Sequence, residues 1–85
     1  MTRPADHPLT LYGRRYCHLC DEMAAALAPI ASAHGLGVEF VDVDADPTLE
    51  ERYGERVPVL VHGDTELCHY FLDAERVRAY LAEIR

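Results

Sequence analysis

The stretch Leu9–Met23, "LTLYGRRYCHLCDEM", decides how the rest of the chain is read. Its first five residues, Leu9 to Gly13, put Thr10 and Tyr12 where a pleated surface suits them and a glycine where a strand ends, which predicts a first strand. From His18 to about His34 the apolar residues Leu19, Met23, Ala26, Leu27 and Ile30 recur at helical spacing. Asp21 and Glu22 fall in the first turn, where acids suit the positive end of the helix dipole. Cys17 and Cys20 therefore sit at a strand-to-helix junction, separated by His18 and Leu19. Taken alone, the pair admits three readings: a redox couple, half of a metal site, or two thiols packed at a helix end, since free cysteine is among the most buried residue types.

Working outward, Pro29 is expected to kink the helix, because it donates no N–H and its ring crowds the carbonyl of Ala25. Gly35 and Gly37 end it. The alternating stretch Val38–Asp44, "VEFVDVD", predicts a second strand, joined to the first through the helix. Asp46 and Pro47 form an N-cap and first-turn pair for a short helix, "TLEERY", closed by Gly54. Val57–Gly63, "VPVLVHG", is almost continuously apolar, as a strand buried on both faces would be. "GDTE" then turns the chain into a fourth strand, Glu66–Tyr70, making a hairpin. Asp73 caps a last helix whose apolar stripe is Ala74, Val77, Leu81 and Ile84. The element order is β-α-β-α-β-β-α in a single domain over residues 1–85, with no repeat, linker or low-complexity tract.

Composition narrows the function. The 85 residues are 49% hydrophobic and 27% charged, a globular profile rather than a disordered one. A domain of this size buries only about 60% of its unfolded surface, so one mainly aliphatic core is expected. The net charge of -7, with every basic residue an arginine, repels phosphate backbones and anionic lipid surfaces, which argues against nucleic acid and membrane as partners. The longest apolar run, Met23 to Ala31, is interrupted by Pro29 and falls far short of the roughly 20 residues of a bilayer span. "MTRPADHPLTLYG" has no apolar core or cleavage site of a secretory signal, so a cytoplasmic location is expected. In that reducing compartment, three cysteines argue for catalysis, metal binding or burial rather than a structural disulfide framework.

A C-x-x-C at the first strand-to-helix junction of this element order is the context of a thioredoxin-like redox site. The segments "LYGRRYCHLCDEM", "VDVDADP" and "RVPVL" resemble small bacterial glutaredoxin-like proteins of the thioredoxin-fold superfamily, over roughly Leu9 to Glu83. The resemblance implies an α/β thioredoxin-like fold with a four-stranded mixed sheet flanked by helices. It also implies thiol–disulfide chemistry and a cis Pro58 facing the cysteines, with Val57 offering its backbone to an extended substrate. A proline inside an apolar strand otherwise has no place in a hydrogen-bonded ladder.

Disulfide exchange needs an attacking thiolate and a second thiol within disulfide reach, and three residues on a helical turn provide that. Cys17 lies at the helix N-terminus, where unpaired N–H groups and the dipole stabilise an anion, so its pKa is expected below the free value of about 8.5. Cys17 is assigned as nucleophile and Cys20, one turn deeper, as resolving thiol. Arg14, Arg15 and, when protonated, His18 add positive charge that favours the thiolate and attracts an anionic substrate. Tyr16 lines the site; for Tyr12 core packing is at least as good an account. No bound cofactor and no metal ligand set are expected. The partners are a disulfide-containing protein or small-thiol substrate, with glutathione or a thioredoxin reductase for recycling.

Two other classes use the same residues. A metal or iron–sulfur carrier could employ Cys17 and Cys20, although a closed zinc site would need ligands beyond Cys68 and a lone His62 or His69. A thioredoxin-like interaction module would leave the pair idle. The chain departs from glutathione-binding members at "LCHYFLD", where bulky His69, Tyr70 and Phe71 stand in place of adjacent glycines; this speaks against a bound glutathione and leaves Asp73 as a helix cap. Cys68 is read as a buried thiol. His7, His34, His62 and His69 receive no role, and Glu50, Glu51, Asp73 and Glu75 are read as solvated faces or caps.

Overall fold

A computed structural model of the protein describes residues 7–84. The stretch read above as lacking a secretory signal falls in part on residues 1–6, which lie outside the described residues. The elements are β1 (Leu9–Gly13), α1 (His18–Ala33), β2 (Val38–Asp42), α2 (Pro47–Tyr53), β3 (Val59–His62), β4 (Thr65–His69) and α3 (Ala74–Glu83), with 3-10 turns at Val43–Ala45 and Gly54–Arg56 on either side of α2. Their order is the predicted β-α-β-α-β-β-α. The strands form one mixed sheet in the order β2-β1-β3-β4, in which β1 runs parallel to β2 and antiparallel to β3, and β3 antiparallel to β4. Gly63, at φ 60°, starts the two-residue turn that joins β3 to β4.

Strand alternation sorts the core into two layers. Leu9, Leu11 and Leu60 pack with Met23, Leu27 and Ile30 of α1 and Val77 and Leu81 of α3. Across the sheet, Val59 and Val61 pack with Val43 and Tyr53 beneath α2. The sheet is thus held between α1 and α3 on one side and α2 on the other. Each fully buried Leu or Val stabilises this arrangement by about 1.5–3 kcal/mol.

Local chemistry explains most boundaries. Helix α1 runs through Pro29 and ends in a Schellman motif, in which Leu36 N–H donates to Ala31 O at 2.9 Å and Gly35 N–H to Ser32 O at 3.1 Å, with Gly35 at φ 68°. Asp46 accepts from Thr48 N–H and Asp73 from Arg76 N–H, the caps predicted for α2 and α3.

Several expectations need correction. Strand β2 stops at Asp42, two residues early, because the Asp42 carboxylate accepts from Asp44 N–H and turns the backbone. It is an edge strand, and Val38 and Phe40 are exposed. Strand β3 begins at Val59, leaving Val57 and Pro58 outside the ladder, and β4 spans Thr65–His69 because Tyr70 turns to φ 64°. Ala26 faces solvent; Cys20 and Ala31 take the buried stripe of α1 with Met23, Leu27 and Ile30. Gly54 does not end α2 in a left-handed turn but continues at φ -54°, where a Cβ would meet only the movable Glu50 carboxylate.

Candidate active site

Cys17 is the N-cap of α1, with extended backbone that sets its sulfur over the first turn. Cys20 N–H donates to Cys17 Sγ at 3.2 Å, and Asp21 N–H donates to Cys17 O at 3.0 Å. The sulfur thus occupies the place a serine or aspartate oxygen takes in an ordinary cap, facing the unpaired N–H groups of the helix start. Cys17 and Cys20 are joined as a disulfide, with Cα atoms 5.2 Å apart. Cys17 is half-buried and Cys20 fully buried, an asymmetry that leaves only the first sulfur open to a partner.

Glycine makes room for that burial. A Cβ on Gly13 would lie 2.9 Å from Cys20 Sγ and 2.9 Å from the Phe40 ring. The last residue of β1 therefore lets the sulfur and an aromatic ring close over the same backbone position.

Sheet register brings the distant segments to this point. Gly13 pairs with Asp42 on one side, and the Tyr12–Val59 pairing places Pro58 opposite Gly13 on the other. The Val59–His69 pairing places Tyr70 opposite Pro58, and Tyr70 N–H donates to Pro58 O at 2.9 Å. One row, Asp42–Gly13–Pro58–Tyr70, thus crosses the end of the sheet beneath the disulfide. The Val57–Pro58 peptide is cis. Val57, half-buried and extended at φ -62° and ψ 143°, precedes the strand in that row.

The remaining predicted site residues divide. Tyr16 is fully exposed and sits at φ 57°, in the left-handed region that a bulky residue rarely occupies. Arg15 is exposed, 3.8 Å from Asp42, and His18 is exposed, 3.2 Å from Glu22 one turn on. Arg14 is corrected. Its guanidinium is drawn to Asp44 and Glu50 and donates to Gly54 O at 3.0 Å, so two carboxylates compensate its charge and it ties the loop before Cys17 to α2. Glu50 is accordingly an ion-pair partner and not only a solvated helix face.

Sequence reasoning leaves two contacts unread, those of Phe40 and His62. Phe40 reads in the sequence only as part of a strand's alternation, and nothing in its spacing signals the contact over Gly13. His62 is buried, with Nδ1 2.7 Å from Tyr80 Oη and Nε2 3.1 Å from His7 O, a polar network that ties β3 to α3. Its position in the continuously apolar run was the available signal. Tyr12 stacks on Tyr53 with ring centres 4.2 Å apart, and burial, with the neighbouring Tyr53 phenol, holds its own phenol above the usual value.

Cys68 is a free, half-buried thiol among the core residues under α1 and α3, and burial pushes its pKa up. A polar depression of about 410 Å³ on the α2 side is lined by Tyr12, Arg52, Tyr53 and Arg56. Its arginines are already engaged, both over the Tyr53 ring and Arg56 with Glu66. Among the described residues, no three His, Cys, Asp or Glu side chains come together as a metal site, and no helix is long and apolar enough to cross a membrane.

Comparison with known proteins supports the family and the fold. The family model described as glutaredoxin-like domain (DUF836) matches residues 8–82. An uncharacterized protein of Mycobacterium tuberculosis is 32% identical over 87 residues, covering 96% of this chain and 87% of the relative. A solution NMR structure of a Nitrosomonas europaea protein superposes with TM-score 0.78 at 43% identity, covering 88% of this chain and 91% of that one. An X-ray structure of a structural-genomics target from X. campestris gives TM-score 0.72 at 44% identity, covering 91% and 99%. Fasciola hepatica thioredoxin, at 14% identity and TM-score 0.58 over 95% of this chain and 85% of its own, shares the fold.

Proposed function

The chain belongs to the glutaredoxin-like domain (DUF836) family, and we propose that it is a thiol–disulfide oxidoreductase working through the Cys17/Cys20 couple. The observation that carries this reading is the asymmetric pair itself: an accessible sulfur at a helix N-cap, bonded to a buried one on the next turn. Helix N–H groups aimed at Cys17 favour its thiolate in the reduced protein, and the thiolate is the attacking form.

In the proposed cycle the Cys17 thiolate attacks a substrate disulfide, forming a Cys17–substrate disulfide and releasing the other half as a thiolate that takes up a proton from solvent. Cys20, having given up its own proton, then attacks Cys17 Sγ and expels the second half. Two electrons pass from the dithiol to the substrate, leaving the Cys17–Cys20 disulfide to be reduced by an external dithiol or by two monothiols such as glutathione. Val57 and Pro58, at the end of β3 beside Gly13, supply the backbone along which an extended substrate aligns, and Tyr16, Arg15 and His18 flank its approach. No cofactor takes part beyond the two cysteines. The setting that suits a recycled dithiol is the reducing cytoplasm.

Two variants test the roles. Cys17→Ser abolishes disulfide reduction, whereas Cys20→Ser completes the first exchange and stops there, so mass spectrometry finds substrate linked to Cys17. Full reductase activity in Cys17→Ser contradicts the reading.

A further inference from the structure

We propose that Tyr16, Tyr70 and Phe71 frame the disulfide as a specificity surface for polypeptide disulfides bearing an apolar side chain beside the cysteine, in preference to small hydrophilic disulfides. The inference rests on the oxidoreductase reading above and names its substrate class.

Exposure is the first argument. Tyr16 is fully exposed, Phe71 is 69% and Tyr70 41% exposed, although aromatic rings are among the side chains that gain most from leaving water. The second is backbone conformation. Among the described residues, Tyr16 at φ 57° and Tyr70 at φ 64° are the non-glycine residues with positive φ. Each such placement costs roughly 1–2 kcal/mol for a residue with a Cβ. Both strained residues are aromatic, and both belong to segments at the active-site end of the sheet. Tyr16 precedes Cys17, and Tyr70 is pinned by its N–H to Pro58 O and by its hydroxyl to Glu55 O at 2.8 Å. Two strand spacings, about 10 Å, separate Tyr70 from Gly13 beneath the buried sulfur. The Tyr16 backbone therefore adjoins Cys17, and the Tyr70–Phe71 segment leaves the sheet at the same end, across Pro58 from Gly13.

Charge decides what kind of substrate fits. A small peptide disulfide such as glutathione disulfide presents carboxylates, and the local cations are matched: Arg14 with Asp44 and Glu50, Arg15 near Asp42, His18 with Glu22. Asp73, at the end of the aromatic loop, is used as the cap of α3. What is left unmatched is apolar surface. A polypeptide segment can bury an apolar side chain against these rings while its disulfide meets Cys17. The exchange is the one given above, two electrons passing from the Cys17/Cys20 dithiol to the polypeptide disulfide.

The test is single-turnover reduction of two substrates by the pre-reduced full chain: glutathione disulfide, and a disulfide-linked dodecapeptide with leucine on either side of its cysteine. Wild type is compared with Tyr16→Asn, which tolerates positive φ, and with Phe71→Ser; in each, closure of Cys17 with Cys20 is checked by mass. Expected is a peptide-to-glutathione rate ratio of at least tenfold in wild type, falling several-fold in either variant. A ratio near one in wild type, or one that neither variant changes, overturns the specificity inference and leaves the oxidoreductase reading standing. If wild type reduces neither substrate, both fail. Light scattering that finds a wild-type dimer lost in Phe71→Ser would assign the rings to a second copy and also overturn the inference.

Discussion

Gly13 carries more of the site than its lack of a side chain suggests. The position where its Cβ would stand is 2.9 Å from both Cys20 Sγ and the Phe40 ring, so any larger residue pushes the buried sulfur and its cover apart. Gly13→Ala is expected to lower stability by about 1–3 kcal/mol, the usual result of overpacking, and to make reduced Cys20 faster to alkylate. Denaturant titration and peptide mass mapping read the two effects; unchanged stability and unchanged protection would show that the contact is not tight. Cys68 gives the opposite case, a thiol whose environment argues against chemistry. Burial raises its pKa above that of a free thiol, so at neutral pH it stays protonated, the unreactive form. Its alkylation at pH 7 should be slower in the folded chain than in urea, and should accelerate only as the pH passes above the free-thiol value.

At the scale of elements, short polar contacts set where each piece starts and how it docks. Removing the Asp73 cap, as in Asp73→Ala, should destabilise the fold by about 1 kcal/mol with little change in the denaturant slope. Arg14 ties the β1–α1 loop to α2, but its carboxylate partners are about half exposed, and solvent screens much of that attraction. Arg14→Met should therefore cost about 1 kcal/mol in dilute buffer and less in 1 M salt. Equal losses at both ionic strengths would point to packing instead. These contacts also mark what the sequence allowed to be read. Caps at Asp46 and Asp73, the apolar run of β3 and the C-x-x-C at a strand-to-helix junction are local signals, and they located the elements and the cysteine pair. The direction of the Arg14 side chain, the ring of Phe40 over Gly13 and the burial of His62 arise from residues 18 to 55 positions apart meeting in space. Nothing in local spacing encodes such meetings.

For the molecule as a whole, the two-sided packing of the sheet holds the ends of β1 and β3 side by side, so that a disulfide from one segment and the Val57–Pro58 peptide from another share one surface. The fold's contribution to function is this placement, with one sulfur open and the other sealed. The central claim is that Cys17 and Cys20 act as one two-electron couple. Equilibrating the protein in graded glutathione and dithiothreitol buffers, trapping free thiols with an alkylating mass tag and weighing protein and peptides tests it directly. The account predicts that Cys17 and Cys20 lose their tags together, with a slope of about 30 mV per tenfold change in ratio, while Cys68 keeps its tag throughout. A pair that never closes, or Cys68 pairing in place of either partner, would contradict it.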